Sequence, residues 1–157
     1  MAPELPVLCL VRPDIAGNVG AVGRLCAVAG WHLAVVRPVP FLLSDRAARR
    51  AGLDYWERLD WSDHGSFEAF EEWLGPGRGL VLVETGGPSL FGAAPPPGLP
   101  ALVLGSETAG LPREVLARHQ ASVRSLPMPG AGARSLNVAQ AAAIAVYETM
   151  RRRGELV

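Results

Sequence analysis

The sequence of 157 residues has no lysine, only two cysteines and no long apolar run. A structural zinc site needs cysteines and histidines at short spacings, and Cys9 and Cys26 form no such pattern. Buried, reduced thiols are therefore expected, with no metal. No stretch approaches the roughly 20 apolar residues of a membrane span, and no basic segment of the signal-peptide type stands at the amino terminus. These absences favour a cytoplasmic protein with no membrane contact.

An excess of positive charge is also missing, because the formal net charge is zero and the pI is about 6.8. A domain that binds nucleic acid with its whole surface has a pI above roughly 9. Any contact with RNA or DNA must therefore use a local patch. We expect no DNA partner. All 15 basic residues are arginine. A GC-rich genome produces the same bias, so the arginine count says nothing about function.

Several sequence patterns of common enzyme classes are absent. There is no G-x-G-x-x-G and no G-K-[ST], which disfavours binding of a dinucleotide or a nucleoside triphosphate. No G-x-S-x-G is present either, and the three histidines stand in contexts that do not suggest a serine hydrolase. We expect His64 and His119 at the surface.

Short apolar runs alternate with segments of helical periodicity along the whole chain. This alternation predicts one α/β domain over residues 1–157, with a parallel sheet covered by helices on both faces. The chain length fits a single core. The expected strands are 7–11, 33–36, 80–83, 101–104 and 123–126, and the expected helices are 18–29, 66–74, 112–119 and 136–153. The run Pro95-Pro96-Pro97 in the long loop before the fourth strand has no assigned role.

Three loops rich in glycine, proline or polar residues lie next to the predicted strands. They cover 14–20, 104–112 and 126–137. Such loops leave backbone N–H groups free at the carboxyl ends of parallel strands, where α/β sheets bind small ligands. The middle loop also carries Glu107, which would repel a phosphate. A ligand of mixed charge, such as a nucleoside that bears an amino acid, suits it better.

The polar residues of these loops have structural explanations as well. Asn18 and Arg24 could be a helix cap and a surface arginine, or an amide and a cation aimed at one substrate. Ser135 is well placed as the cap of the last helix. Asn137 would lie in the first turn of that helix, where asparagine is an indifferent helix former. It therefore indicates a polar group at the mouth of a site.

Taken together, the motifs resemble those of SPOUT-class RNA 2′-O-methyltransferases. The branch most similar is the small TrmL-like (YibK-like) group, which modifies the wobble nucleotide of tRNA. The matching segments are Asn18-x-Gly20-x-x-x-Arg24, Leu104-Gly105-x-Glu107-x-x-Gly110-Leu111-Pro112, Leu126-Pro127-Met128, Ser135-Leu136-Asn137-Val138-Ala139 with Tyr147, and the stretch from Arg49 to Tyr55.

The resemblance implies a C-terminal trefoil knot, a homodimer and S-adenosylmethionine as methyl donor, with S-adenosylhomocysteine as product and no metal. The residues implied to hold the cofactor are Val83, Gly105, Leu126 and Ser135. The final helix could form a dimer interface, but its apolar stripe could equally pack within one subunit. The implied substrate is cytidine or uridine 34 of tRNA. Another tRNA or rRNA nucleotide, or a binding module without catalysis on the same fold, are the alternatives.

The resemblance also implies a set of residues that face the ribose: Arg24, Asn18, Glu107, Ser135 and Asn137. Arg24 is the usual candidate for the base in this family. A guanidinium hardly ever loses its proton in a protein. We therefore assign Arg24 to binding the adjacent phosphate and to stabilising negative charge on the 2′-oxygen.

Larger relatives in this class carry an added RNA-binding extension, and we expect none here. RNA contacts must then come from the domain surface. The residues expected to make them are Arg46, Arg49, Arg50 and Tyr147. A cluster of arginines such as 46–50 is also compatible with an ordinary solvated face.

Overall fold

The computed structural model describes residues 1–44, 46 and 54–157. Six strands lie in the described residues: β1 Val7–Val11, β2 His32–Val36, β3 Trp61–His64, β4 Gly79–Val83, β5 Pro100–Leu104 and β6 Val123–Arg124. The same described residues contain these helices of six residues or more: α1 Ala16–Ala29, α2 Phe67–Leu74, α3 Arg113–Arg118 and α4 Val138–Arg152.

All six strands are parallel and form one sheet in the order β3-β2-β1-β5-β4-β6. The α/β class and the parallel sheet are thus confirmed. The sheet was expected to have about five strands, and the expected set lacked β3. Its sequence Trp-Ser-Asp-His is too polar for a buried run. It pairs only with β2, as an edge strand does.

Helices cover both faces of the sheet, as expected. On one face, α1 and α4 pack against side chains such as Leu8 and Leu10 of β1. On the other face, α2 and α3 pack against Val7, Cys9 and Val11 of the same strand. Successive residues of a strand point to opposite faces, so both sides of β1 must be apolar. This explains its continuous hydrophobic run.

Gly30 and Ser66 form the helix ends that the sequence predicts for them. Gly30 ends α1 in the left-handed conformation with φ +72°, which glycine adopts without penalty. Ser66 caps α2 by accepting a hydrogen bond from the Ala69 N–H at 3.1 Å.

The expectation that His64 lies at the surface was wrong. His64 is buried, and its Nε2 lies 2.7 Å from Ser62 Oγ. The same hydroxyl lies 2.8 Å from Nε2 of His32, whose Nδ1 lies 2.9 Å from Asp60 Oδ1. The polar residues of β3 therefore form a hydrogen-bonded row with β2. His119 is half-buried and contacts Glu71 at 2.6 Å.

The proline run before β5 lies against the first residue of β4. A Cβ on Gly79 would stand 2.3 Å from Cβ of Pro96 and 2.8 Å from the carbonyl oxygen of Pro97. Only glycine fits there. The run thus packs against the start of β4.

Beyond β6, the chain continues alongside the loop that follows β4, in the same direction. Ser125 N–H donates to the Pro88 carbonyl at 2.8 Å, and Leu90 N–H donates to the Ser125 carbonyl at 2.8 Å. These bonds tie together two segments that both lead to the carboxyl edge of the sheet. In the part of the chain that the structure describes, none of the helices has the length and apolar character needed to cross a bilayer.

Candidate active site

A cleft of about 490 Å³ opens at the carboxyl ends of β4 and β5, beside the start of α4. A cavity of this size is within the range of ligand sites. The loops after β1, β4, β5 and β6 all contribute to its wall. The lining residues are Ile15, Asn18, Val83–Thr85, Leu104–Gly110, Leu126, Met128 and Arg134–Val138 with Ala141.

The loop after β5 doubles back on itself closely. Ser106 and Gly110 exchange two backbone hydrogen bonds, at 3.2 and 3.0 Å. A Cβ on Gly105 would stand 2.1 Å from the carbonyl carbon of Gly110 and 2.2 Å from the Leu111 nitrogen. Because these are backbone atoms, they cannot move aside, and residue 105 must be glycine for this turn to form.

Glu84, which directly follows β4, holds the same loop through a hydrogen bond to its backbone. Its Oε2 accepts a hydrogen bond from Leu111 N–H at 2.9 Å, and its Oε1 accepts one from Thr85 N–H at 2.9 Å. The half-buried carboxylate lines the cleft and joins the segment after β4 to the segment after β5. Sequence reasoning missed this residue. The only available signal was an acid placed directly after a buried strand, which by itself does not identify its backbone partners.

Three of the expected ribose-facing residues form one hydrogen-bonded chain. Asn137 Nδ2 donates to Asn18 Oδ1 at 3.1 Å, and Asn18 Nδ2 donates to Glu107 Oε1 at 3.0 Å. These residues come from the start of α4, the first turn of α1 and the loop after β5. Three of the matching segments are therefore brought to one place.

The second carboxylate oxygen of Glu107 is also bonded. It accepts a hydrogen bond from Asp14 N–H at 2.7 Å, while Thr108 Oγ1 donates to Asp14 Oδ2 at 2.6 Å. The loop after β1 is thus held to the loop after β5 from both sides. Glu107 orients Asn18 and closes this corner of the cleft.

The start of α4 differs from the sequence expectation. Asn137, not Ser135, is the N-cap: its Oδ1 accepts from the N–H groups of Ala139 at 2.9 Å and Gln140 at 3.4 Å. The helix begins at Val138, two residues later than expected. Ser135 is exposed, lies before the helix and lines the cleft. The side chain of Asn137 therefore caps the helix and contacts Asn18 at the same time.

The residues expected to hold the cofactor all line the cleft. Val83 and Leu126 form its buried floor, and Gly105 and Ser135 lie in its wall. Of the ribose-facing set, Asn18, Glu107, Ser135 and Asn137 line the cleft as well. Their individual roles stay predictions.

Arg24 is not among the described residues that line the cleft. It lies on α1, six residues beyond Asn18, which is about 9 Å along a helix. The side chain is exposed, and its guanidinium carbon lies 5.3 Å from the ring centroid of Tyr55. The structure thus separates Arg24 from the other four residues of the set.

Two of the four residues expected to contact RNA, Arg46 and Tyr147, are among the described residues, and both are exposed. Tyr147 is 43% exposed on α4. Arg49 and Arg50 lie outside the described residues, as does most of the stretch from Arg49 to Tyr55.

The cleft suits S-adenosylmethionine, whose adenosine needs an apolar floor and whose methionine end carries charges of both signs. Val83, Leu104 and Leu126 supply apolar surface, and the glycine-rich turn forms part of the wall. Charged side chains of both signs are present, because Glu84 and Arg134 line the same cavity. Among the described residues, no group of three or more histidine, cysteine and acidic side chains is arranged to hold a metal ion.

The parallel sheet with a cleft at its carboxyl edge is the architecture of solved RNA methyltransferases. A structure described by the words "Structural insights into the 2-OH methylation of C/U34 on tRNA" superimposes with a TM-score of 0.86 at 41% identity, covering 98% of this chain and 100% of that one. An AdoMet-bound rRNA methyltransferase from Sinorhizobium meliloti gives a TM-score of 0.79 at 25% identity, covering 94% of this chain and 56% of that longer one.

Residues 6–147 match the profile of the SpoU rRNA Methylase family, and the chain belongs to that family. A relative from Ancylobacter novellus, named tRNA (cytidine(34)-2'-O)-methyltransferase, is 40% identical over 149 residues, which is 94% of this chain and 92% of the relative. Solved SpoU methyltransferases carry the trefoil knot, so the fold class implied by the resemblance is confirmed.

Proposed function

We propose that this protein transfers a methyl group from S-adenosylmethionine to the ribose 2′-hydroxyl of cytidine or uridine 34 in tRNA and releases S-adenosylhomocysteine. The observation that carries this proposal is the hydrogen-bonded chain Asn137–Asn18–Glu107 at the mouth of the cleft. It assembles polar groups of three separate motifs beside a cavity of cofactor size.

Membership in the SpoU family supports the methyl-transfer chemistry. The choice of nucleotide is supported by relatives named for cytidine 34 and by the solved structure on methylation of C/U34. The relative from Escherichia coli K12 with that name is 35% identical and covers 94% of this chain.

The cofactor would supply a methyl group that is already activated by the positive sulfur. The task of the protein is then alignment, which contributes up to about 7–11 kcal/mol to such reactions. Val83 and Leu126 would hold the apolar part of the cofactor, and the backbone of the tight turn at Gly105 would support it from the wall of the cleft. Ser135 would contact the cofactor from the segment before α4.

At the substrate, Asn18, Asn137 and Ser135 would orient the ribose, while Glu107 holds Asn18 in place. Arg24 would bind the phosphate next to the target nucleotide and stabilise the negative charge that develops on the 2′-oxygen. This role requires the RNA to extend from the cleft along α1. Arg46, Arg49, Arg50 and Tyr147 would contact the phosphates and bases of the anticodon arm.

We also propose that the protein is a single-domain homodimer in the cytoplasm. Apolar side chains on the outer surfaces of α1 and α4 support the dimer: Val28 is 70% exposed and Ile144 38%. Light scattering coupled to gel filtration tests it, and a monomer at micromolar concentration would contradict it.

The function is tested with labelled S-adenosylmethionine and tRNA from cells that lack this protein, followed by digestion to nucleosides and mass spectrometry. Label should appear on 2′-O-methylcytidine or on a 2′-O-methyluridine derivative from the anticodon loop. A matched tRNA with 2′-deoxycytidine at position 34 has no acceptor oxygen there and should take up no label.

Each other outcome has a defined meaning. Label on the 2′-deoxy tRNA would move the target to another nucleotide. Cofactor binding without label on any tRNA or rRNA would favour the binding module without catalysis. The absence of cofactor binding would overturn the proposal altogether.

A further inference from the structure

Tyr55 belongs to the stretch that resembles the small wobble-modifying branch, and the proposed chemistry gives it no role. The structure places its side chain against α1. Its hydroxyl donates a hydrogen bond to the carbonyl oxygen of Gly20, and its ring lies under the guanidinium of Arg24, 5.3 Å from centroid to carbon. Gly20 and Arg24 are one helical turn apart on the same face of α1. Both residues belong to the matching segment Asn18-x-Gly20-x-x-x-Arg24.

The neighbouring residue anchors Tyr55 firmly. Trp56 is buried in the core on the α1 side of the sheet. A Cβ on Gly23 would stand 3.0 Å from the Trp56 ring, so the absence of a side chain at Gly23 lets the indole approach α1 closely. Tyr55 is therefore attached to α1 through its hydroxyl and through the next residue along the chain.

The nature of the contact suits an arginine that must act on RNA. A carboxylate partner would neutralise the guanidinium, whereas an aromatic ring attracts it without a formal negative charge. Burial raises the pKa of Tyr55 above its ordinary value, against the opposing effect of Arg24, so the phenol stays neutral. The positive charge of Arg24 remains available to a phosphate or to the reacting oxygen.

Arginine also has many rotamers, and ordering an exposed side chain on binding opposes the binding. A side chain that is already held in one place loses less freedom when it meets its target. Arg24 is exposed on α1, and Tyr55 restricts it before RNA arrives.

We propose that Tyr55 is a positioning residue that holds the Arg24 guanidinium ready for the RNA. This inference rests on the proposed function, in which Arg24 acts on the substrate and not on the cofactor. Tyr55 should therefore affect methyl transfer through Arg24 and leave the affinity for S-adenosylmethionine unchanged.

The test compares Tyr55→Phe, which keeps the ring, with Tyr55→Leu, which removes it. We expect Tyr55→Leu to lower kcat for tRNA methylation by about two- to fivefold, a size that corresponds to loss of one cation–π contact at an exposed site. Tyr55→Phe should keep most of the activity. The dissociation constant for S-adenosylmethionine should stay the same in both variants.

A double-mutant cycle with Arg24→Ala identifies the route of the effect. With the guanidinium absent, the ring has nothing to position, so Tyr55→Leu should lower kcat no further. An equal loss in both backgrounds would overturn the inference. So would a Tyr55→Phe variant as impaired as Tyr55→Leu, because the hydroxyl bond to Gly20, and not the ring, would then be the important contact.

The chain offers a matched control for general damage. Phe67 lies under Arg118 at 5.9 Å on the opposite face of the sheet, in the same kind of contact. Phe67→Leu should reduce the melting temperature without changing kcat. If the wild-type protein methylates no tRNA, the proposed function fails together with this inference. If it does and the cycle shows no coupling, only the inference fails.

Discussion

Asn137 and Asn18 are 119 residues apart in the chain, and their side chains are joined by a hydrogen bond of 3.1 Å. Because Asn137 Oδ1 accepts from the first N–H groups of α4, its Nδ2 must point away from the helix. That orientation makes Asn18 present its oxygen to Asn137 and its nitrogen to Glu107. The cap of one helix therefore sets the orientation of an amide in another.

Two replacements of Asn137 distinguish its role as helix cap from its hydrogen bond to Asn18. Aspartate is as good an N-cap as asparagine but has no N–H to donate to Asn18. Asn137→Asp should therefore keep its stability in urea and lose activity on tRNA, by about tenfold or more. Asn137→Ala should lose activity and also about 1 kcal/mol of unfolding free energy. Full activity of Asn137→Asp would show that the contact with Asn18 does not matter.

Gly105→Ala should distort the turn that lines the cleft, where we propose that the cofactor binds. The added methyl would meet backbone atoms at 2.1 and 2.2 Å, so the loop must shift. Strain of this kind is typically about 1–3 kcal/mol, equivalent to a roughly fivefold to 150-fold larger dissociation constant for S-adenosylmethionine if the loop shifts. Calorimetry measures it. Gly65→Ala is the control, since a Cβ at Gly65 has no neighbour within 4 Å.

Glu84→Ala should also weaken cofactor binding, because Leu111 N–H loses its acceptor next to the cleft. A donor left without a partner is destabilising by about 1–3 kcal/mol when buried, so a loss near tenfold is expected at this half-buried site. Glu84→Gln keeps one acceptor oxygen, and its dissociation constant should lie between those of the wild type and Glu84→Ala. An unchanged dissociation constant in Glu84→Ala would mean that the loop does not depend on the carboxylate.

Arg24→Lys keeps the positive charge and removes the planar fork that binds two phosphate oxygens. We expect kcat for tRNA methylation to fall on the order of 100-fold, with no change in the affinity for S-adenosylmethionine. Arg113→Lys on the exposed face of α3 is the control and should behave as the wild type. Near-normal turnover of Arg24→Lys would exclude our assignment.

The hydrogen-bonded row of His32, Ser62 and His64 between β2 and β3 predicts that acid lowers the free energy of unfolding. Burial is the main cause that lowers the pKa of His32 and of His64, in each case against a nearby aspartate. The unfolded chain then binds more protons than the folded one once the pH falls below about 6.5. The free energy of unfolding should be highest above that pH and decrease as the pH falls through the lowered pKa values.

Urea titrations at several pH values between 7.5 and 5 measure this dependence. His64→Asn removes one of the two titrating rings, and the slope of unfolding free energy against pH should become smaller. An unchanged slope would show that His64 does not titrate differently in the folded and unfolded states.

Strands and helices with strong periodicity could be predicted from the sequence, and β3 could not. The strands β1 and β5 are apolar on both faces and read as continuous hydrophobic runs. In β3 the polar atoms of Ser62 and His64 are satisfied by one another and by His32 across the edge of the sheet. Local polarity carries no sign of such a partner 30 residues away.

The site shows the same limit. The motifs indicated Asn18, Glu107 and Asn137 as site residues. They did not indicate that Asn137 caps α4 and donates a hydrogen bond to Asn18, which in turn donates one to Glu107. Ser135 satisfied the usual cap preference as well as Asn137 did, and only the path of the backbone decides between them. Glu84 had no motif, because its partners are the backbone N–H groups of a distant turn.

The bonds that build the cleft join residues 89 and 119 positions apart, and β1 pairs with β5 across most of the chain. Such non-local pairing forms slowly. On the ribosome, the corner made by Asn18, Glu107 and Asn137 cannot exist until the start of α4 has emerged. A chain that ends before α4 therefore lacks this corner, and we expect no methyl transfer until the start of α4 has been synthesised and packed against α1.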